Sequence, residues 1–302
     1  IHYGMSVMAS PLSFPIHSDL QIHSQLLHKA YPPSFFSSPF PKQTINFYNF
    51  HRLPLKSLSS SSYTSTTDSS NPNVSTSASD IYSQLEDSFK TGKFLANEEI
   101  VRLKQLQDFC VQRDIDGGSM RARVMRNEEI DTVVNLLSDS FSDSMVLPSN
   151  YGPILRFLVK QYLSERREML PHSVTLVAFY KELGEEEEEE VFAGTVEVFL
   201  HKMAFNNSPP SPTPPFDCPY ICNMSVNKNL RRRGIGWNLL KATEELITAV
   251  CGGGNVYLHC RIIDTAPFNL YTKAGYAVVK TDNIMVLLKL QRRKYLMCKN
   301  LT

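Results

Sequence analysis

The chain has 302 residues, 42% of them hydrophobic, with 31 Lys+Arg against 30 Asp+Glu and a formal net charge of +1. That balance argues against a dedicated nucleic-acid binder, whose basic face tips the total, and no apolar run reaches the roughly 18–20 residues of a membrane helix. Six cysteines are too sparse for a disulfide scaffold, and Cys218 and Cys222 lack a second pair at zinc-ligand spacing, so no metal is expected.

Composition changes abruptly near residue 79. Residues 1–79 hold 19 serines and five threonines but only four Lys/Arg and two acids, Asp19 and Asp68, which leaves 28 acids for the rest. Ser-rich, acid-poor and weakly basic composition is that of an organelle transit peptide, and much serine with few arginines favours the chloroplast stroma over the mitochondrion. A plain disordered tail is the alternative.

Residues 80–111 read as helical, with Ile81, Leu85, Phe89, Ile100, Leu103, Leu106 and Phe109 at helix-like spacing and Asn97-Glu98-Glu99 as a capped start. Gly117-Gly118 breaks the chain, so 80–118 is expected as an accessory helical segment packed on a main domain over 119–302. There the order is a strand at 121–126, helices at 127–141 and 152–170, and strands at 174–180 and 191–200. The six carboxylates Glu185–Glu190 repel one another and belong at a solvated hairpin tip. Five prolines within 208–215 make an extended loop.

The next stretch is the most informative. A strand over Tyr220–Val226 and a short loop lead to Arg231-Arg232-Arg233-Gly234-Ile235-Gly236 and a helix to about Val250. Strand, basic glycine turn and helix N-terminus form a recipe for holding a pyrophosphate, because free N–H groups and the helix dipole favour negative charge. No Gly-Lys-Ser/Thr follows, which excludes a P-loop, and Leu239 stands where a dinucleotide fingerprint needs its third glycine.

Arg231-x-x-Gly234-x-Gly236 opening a helix, followed after one helix, a strand at 256–262 and a second helical stretch by Leu270-Tyr271-Thr272-Lys273-Ala274-Gly275-Tyr276, resembles the GNAT superfamily of N-acetyltransferases over about residues 121–302. The resemblance implies an α+β GNAT fold, a mixed and mostly antiparallel sheet splayed between strands four and five and flanked by helices. It implies acetyl-CoA as co-substrate, its pantetheine arm pairing with Met224, Ser225 and Val226 and its pyrophosphate on Arg231, Arg232, Arg233, Gly234, Ile235, Gly236 and Trp237. Asp264 and Pro267 stand where the family often has Asn and Ala, a departure in the loop from which the resemblance implies a further cofactor contact at Asp264. Leader and motifs together resemble the plant plastid GNATs that acetylate protein N-termini and lysines.

The same resemblance places Tyr271 as the acid that protonates the departing thiolate. No carboxylate stands where some lysine-acetylating relatives carry their base. Tyr220 and His259 instead resemble a tyrosine–histidine pair that positions a catalytic water in a cytosolic Nα-acetyltransferase, and a histidine titrates near neutrality by type. A satisfied core histidine is the alternative, and Glu197 and Asp217 stay open as bases. The expected activity is direct acetyl transfer in a ternary complex to plastid protein N-termini and lysine side chains, without nucleic-acid partners or a membrane span. A small-amine acetyltransferase acting on an arylalkylamine or polyamine, or a silent CoA-binding module, is the alternative.

Overall fold

The computed structural model describes residues 77–145, 151–183, 190–200, 210–289 and 292–302. Residues 1–76 of the leader, most of the glutamate run and the first residues of the proline loop lie outside the described residues, while the last three residues expected in the leader, 77–79, open the first helix. Helix α1 (Ala78–Ser83) starts where the Ser77 hydroxyl accepts from the Asp80 N–H and the Asp80 carboxylate accepts from the Ser77 N–H. Helix α2 (Asn97–Asp108) starts one residue earlier than an Asn97 cap would allow. Ala96 holds the N-cap position, and the Glu99 carboxylate reaches back to its N–H at 2.8 Å.

The periodicity expected to continue to residue 111 ends at 108, because Cys110–Ile115 is a strand, β1, with alternating exposure. Asp116-Gly117 is the hairpin turn, and Gly118 already pairs with Ile115 as the first residue of β2 (Gly118–Val124). Residues 110–118 therefore enter the sheet. The helices before them are equally built in: Leu103 and Leu106 are fully buried in the same core as β2 and β3. Burying each such leucine contributes about 1.5–3 kcal/mol, which ties residues 85–118 to the main fold.

Helices α3 (Ile130–Met145) and α4 (Gly152–Arg167) lead to β3 (Ser173–Glu182), β4 (Val191–Phe199) and β5 (Tyr220–Val226). Helix α5 (Ile235–Cys251), β6 (Gly254–Arg261), α6 (Thr265–Lys273), β7 (Ala277–Thr281) and β8 (Lys294–Leu301) complete the order. β7 carries no strong sequence signal, since every one of its residues is exposed.

The eight strands form one sheet in the order β1-β2-β3-β4-β5-β6-β8-β7, antiparallel except between β5 and β6. Val133, Leu137, Val159 and Leu163 of α3 and α4 pack on one face against Val177. Leu239, Leu240, Leu246 and Ile247 of α5 pack on the other, beside Leu103 and Leu106 of α2. This is the α+β, helix-flanked architecture expected, with one additional edge strand, so the family's fourth and fifth strands are here β5 and β6.

Candidate active site

β5 and β6 are paired at only two positions, Tyr220↔Tyr257 and Ile221↔Leu258. Beyond these the strands diverge around a cleft of about 1180 Å³. β5 stays paired to β4 through Gly194↔Val226, so its other edge, from Cys222 to Val226, faces the cleft. An unpaired strand edge offers N–H and C=O groups to an extended ligand as an added strand would use them. Met224, Ser225 and Val226 all line it, and the Val226 carbonyl accepts from Arg231 Nε at 3.1 Å.

The far end of the cleft is the N-terminus of α5. Gly234 sits there at φ +81°, and a Cβ on it would meet only Asn238 Nδ2 at 3.6 Å. Backbone conformation, not space, therefore demands glycine at this position. At Gly236 the protein itself leaves room for a Cβ, 3.6 Å from Val226 and Leu270. The helix has no side-chain cap, and Asn238 is the first residue to bond back, to the Gly234 carbonyl. The N–H groups of Ile235, Gly236 and Trp237 remain for a ligand. Arg231 and Arg232 are exposed beside them and line the cleft. Uncapped donors, a positive helix end and two guanidinium groups fit a diphosphate.

Arg233 does not join them. Its guanidinium donates to the Tyr180 hydroxyl at 3.0 Å and to Glu182 at 2.9 Å, and it lies over the Tyr180 ring. Arg232 and Gly234 on either side are both left-handed, at φ +69° and +81°, and the turn between them sends Arg233 to β3. Its expected place among the phosphate ligands is corrected to an anchor of the turn. Trp237 lines the cleft with Lys241 and Lys273 nitrogens 5.0 and 5.3 Å from its ring centre, a cation–π arrangement.

On the opposite wall, Asp264 occupies the N-cap of α6 and accepts from Arg261 Nε at 2.6 Å. Tyr271 follows on that helix, 8% exposed, lining the cleft and edge-on to the Tyr276 ring at 6.1 Å. At the closed end Tyr220 and His259 meet, the hydroxyl 2.8 Å from Nδ1. His259 Nε2 lies 2.8 Å from the Pro212 carbonyl, which can only accept. Nε2 therefore carries the proton, and the Nδ1 lone pair receives the Tyr220 O–H. Burial, helped by the nearby Lys294 charge, lowers the His259 pKa to about 4. The expectation of a near-neutral histidine is corrected: with a pKa of about 4 this imidazole is held in its neutral form at neutral pH. The proline loop, legible only as extended, supplies its second partner.

A second polar group borders the same cleft. Tyr162 of α4 lines it and donates to Glu197 Oε2 at 2.6 Å. Asn223, left-handed at φ +49° on β5, donates to the same oxygen at 2.7 Å. Arg166 lies 3.6 Å from the other oxygen and over the Tyr162 ring. Sequence reasoning singled out Glu197 but not Tyr162 or Asn223, which reach it from distant segments. Asp217, the other candidate base, is exposed and does not line the cleft. Among the described residues no group of three His, Cys, Asp or Glu could hold a metal ion, and no helix is long and apolar enough to cross a membrane.

A profile of the Acetyltransferase (GNAT) family matches residues 136–276. The chain is 60% identical over 225 residues to GCN5-related N-acetyltransferase 5, chloroplastic, of Arabidopsis thaliana, covering 73% of this chain and 70% of that protein. Among solved structures, the GNAT domain of S. lividans PAT is similar with a TM-score of 0.46 and 15% identity, over 64% of this chain and 97% of that one. The PaiA N-acetyltransferase of Thermoplasma acidophilum, solved in complex with coenzyme A, has a TM-score of 0.44 and 15% identity, over 60% and 98%. By the profile match and its relation to the Arabidopsis protein, the chain belongs to the GNAT family of N-acetyltransferases.

Proposed function

We propose that this N-acetyltransferase takes acetyl-CoA as donor and transfers the acetyl group directly to protein N-terminal α-amines and, more slowly, to lysine side chains. The observation that carries the reading is the joining, in one cleft, of an open β5 edge, the uncapped α5 N-terminus, Tyr271 and the Tyr220–His259 pair. Each matches one demand of the chemistry. The β5 edge aligns an extended thioester arm, and the α5 terminus with Arg231 and Arg232 holds its diphosphate. Tyr271 donates a proton to the departing thiolate, whose conjugate acid resembles a cysteine thiol of pKa about 8.5.

With its proton engaged by His259 Nδ1, the Tyr220 hydroxyl acts towards an amine, or a water beside it, in the cleft it lines as a hydrogen-bond acceptor and not as a donor. An α-amine of pKa about 7.7–8.0 is half neutral near pH 8, whereas a lysine near 10.4 must lose its proton at a further cost of roughly 3 kcal/mol. A neutral pair of this kind favours the N-terminus.

The compartment is the chloroplast, as for the Arabidopsis relative. We infer that residues 1–79 are the transit peptide that delivers the protein there, a role that fusion of those residues to a fluorescent reporter tests. Incubating the protein with acetyl-CoA and a library of peptides bearing free or blocked N-termini, then locating the acetyl group by mass spectrometry, tests the activity. Modification of free N-termini first and lysines second supports the reading. Acetylation confined to arylalkylamines or polyamines added in parallel would replace it.

A further inference from the structure

Glu197 is a carboxylate inside the protein, 1% exposed, with no part in the chemistry assigned so far. A bare buried charge is costly, and this one is met from every side. Tyr162 and Asn223 donate to Oε2, while Ser173 Oγ at 3.5 Å and Arg166 Nε at 3.6 Å face Oε1. Cys222, its partner on β5, completes the shell. Every group around the carboxyl is a donor or a cation, which is the environment of the ionised form.

Tyr162 connects this charge to the cleft. Its hydroxyl gives its one proton to Glu197 and accepts from Asn223 Nδ2 at 3.1 Å, beside the Arg166 guanidinium, on a nearly buried residue that borders the cleft. We propose that Tyr162 and Glu197 form a proton exit for the acceptor amine, separate from the Tyr220–His259 pair and most important for lysine. This rests on the proposed protein-amine acetylation. The step balances: an N–H bond of the ammonium breaks as the Tyr162 oxygen takes that proton, and the original Tyr162 proton moves to Glu197 Oε2. A cation and an anion become a neutral amine and a neutral acid. After the acetyl group has moved and the amide has left, the proton returns through Tyr162 to water.

The electrostatics support this direction. Burial holds the Tyr162 phenol well above its ordinary pKa, so it passes a proton without resting as a phenolate. Burial also raises the Glu197 carboxyl, against the opposing Arg166 charge and hydrogen bonds, which makes it a better proton acceptor than an ordinary glutamate. His259, held near 4, is a poor destination for a proton from an amine of pKa about 10.4.

The test is kcat/KM against pH for wild type, Tyr162→Phe and Glu197→Gln on paired peptides, one with a free N-terminus and no lysine, one blocked with a single lysine. At pH 7.5 both variants should lose about 10²–10⁴-fold on lysine, the range for a general base, and much less on the N-terminus. The lysine loss should shrink as pH rises towards 10, where the amine sheds its proton unaided. Thermal melts confirm folding, and Tyr162→Phe stands alone if Glu197→Gln fails to fold. An active wild type matched by Tyr162→Phe, or equal losses on both peptides at every pH, overturns the relay and leaves the activity standing. A wild type inert to both peptides overturns the reading and the relay with it.

Discussion

The Tyr220 hydroxyl and His259 Nδ1 stand 2.8 Å apart at the point where β5 and β6 part, and the Pro212 carbonyl on Nε2 sets the direction of the bond between them. The histidine is an acceptor that orients a tyrosine, not a titrating base. Burial and the Lys294 charge lower its pKa from the ordinary 6.5 to about 4.

A stability prediction follows with a definite sign. The folded histidine, near 4, refuses a proton that the unfolded chain takes up near 6.5. Stability from this group is therefore full above about pH 6.5 and is lost as pH falls towards 4, by at most about 3 kcal/mol. Urea unfolding of wild type and His259→Gln at pH 7.5 and 4.5 checks it. The wild type should lose more than the variant between the two conditions, and equal losses would mean that His259 titrates normally. The kcat/KM profile should also lack an inflection from His259 near 6.5.

At Gly234 the cost of a side chain is conformational. Gly234→Ala forces a left-handed alanine, at about 1–3 kcal/mol for strained backbone, although no atom blocks its methyl group. The expected outcome is a lowered Tm together with weaker acetyl-CoA binding by calorimetry, since the same turn aims the α5 N–H groups. Gly234→Asn should be milder on both counts, because asparagine tolerates this region better.

The three arginines of the turn should separate. Arg232→Ala or Arg231→Ala removes a charge beside the phosphate cradle and should weaken acetyl-CoA binding by about 1–3 kcal/mol, the range for charge-assisted hydrogen bonds. Arg233→Ala breaks an exposed pair with Glu182 and should change binding much less. Equal losses at all three positions, read by calorimetry, would place Arg233 back in the cleft.

The contrast at Arg233 shows where sequence reading stops. The tripeptide pattern identifies a basic turn, but two left-handed residues decide which guanidinium leaves the site, and an arginine at φ +69° has no signature in sequence. The strand and helix carrying Met224 to Trp237 are legible because periodicity and glycine spacing are local. β1 is not, because its alternation is half-exposed and follows directly on a helical pattern. Pro212, Tyr162 and Asn223 reach the site through contacts spanning 26–61 residues, and no local pattern announces them.

Tyr271→Phe tests the central claim most directly, because it deletes one O–H from a ring that is otherwise held in place. Acetyl-CoA affinity by calorimetry and acetyl transfer to an N-terminal peptide by mass spectrometry are measured on the same preparations. With Tyr271 as the acid, affinity stays near wild type while kcat falls about 10²–10⁴-fold, and less with a donor whose thiol is more acidic. A variant that binds acetyl-CoA and turns over at the wild-type rate on both donors would contradict the assignment and leave Tyr271 a packing residue.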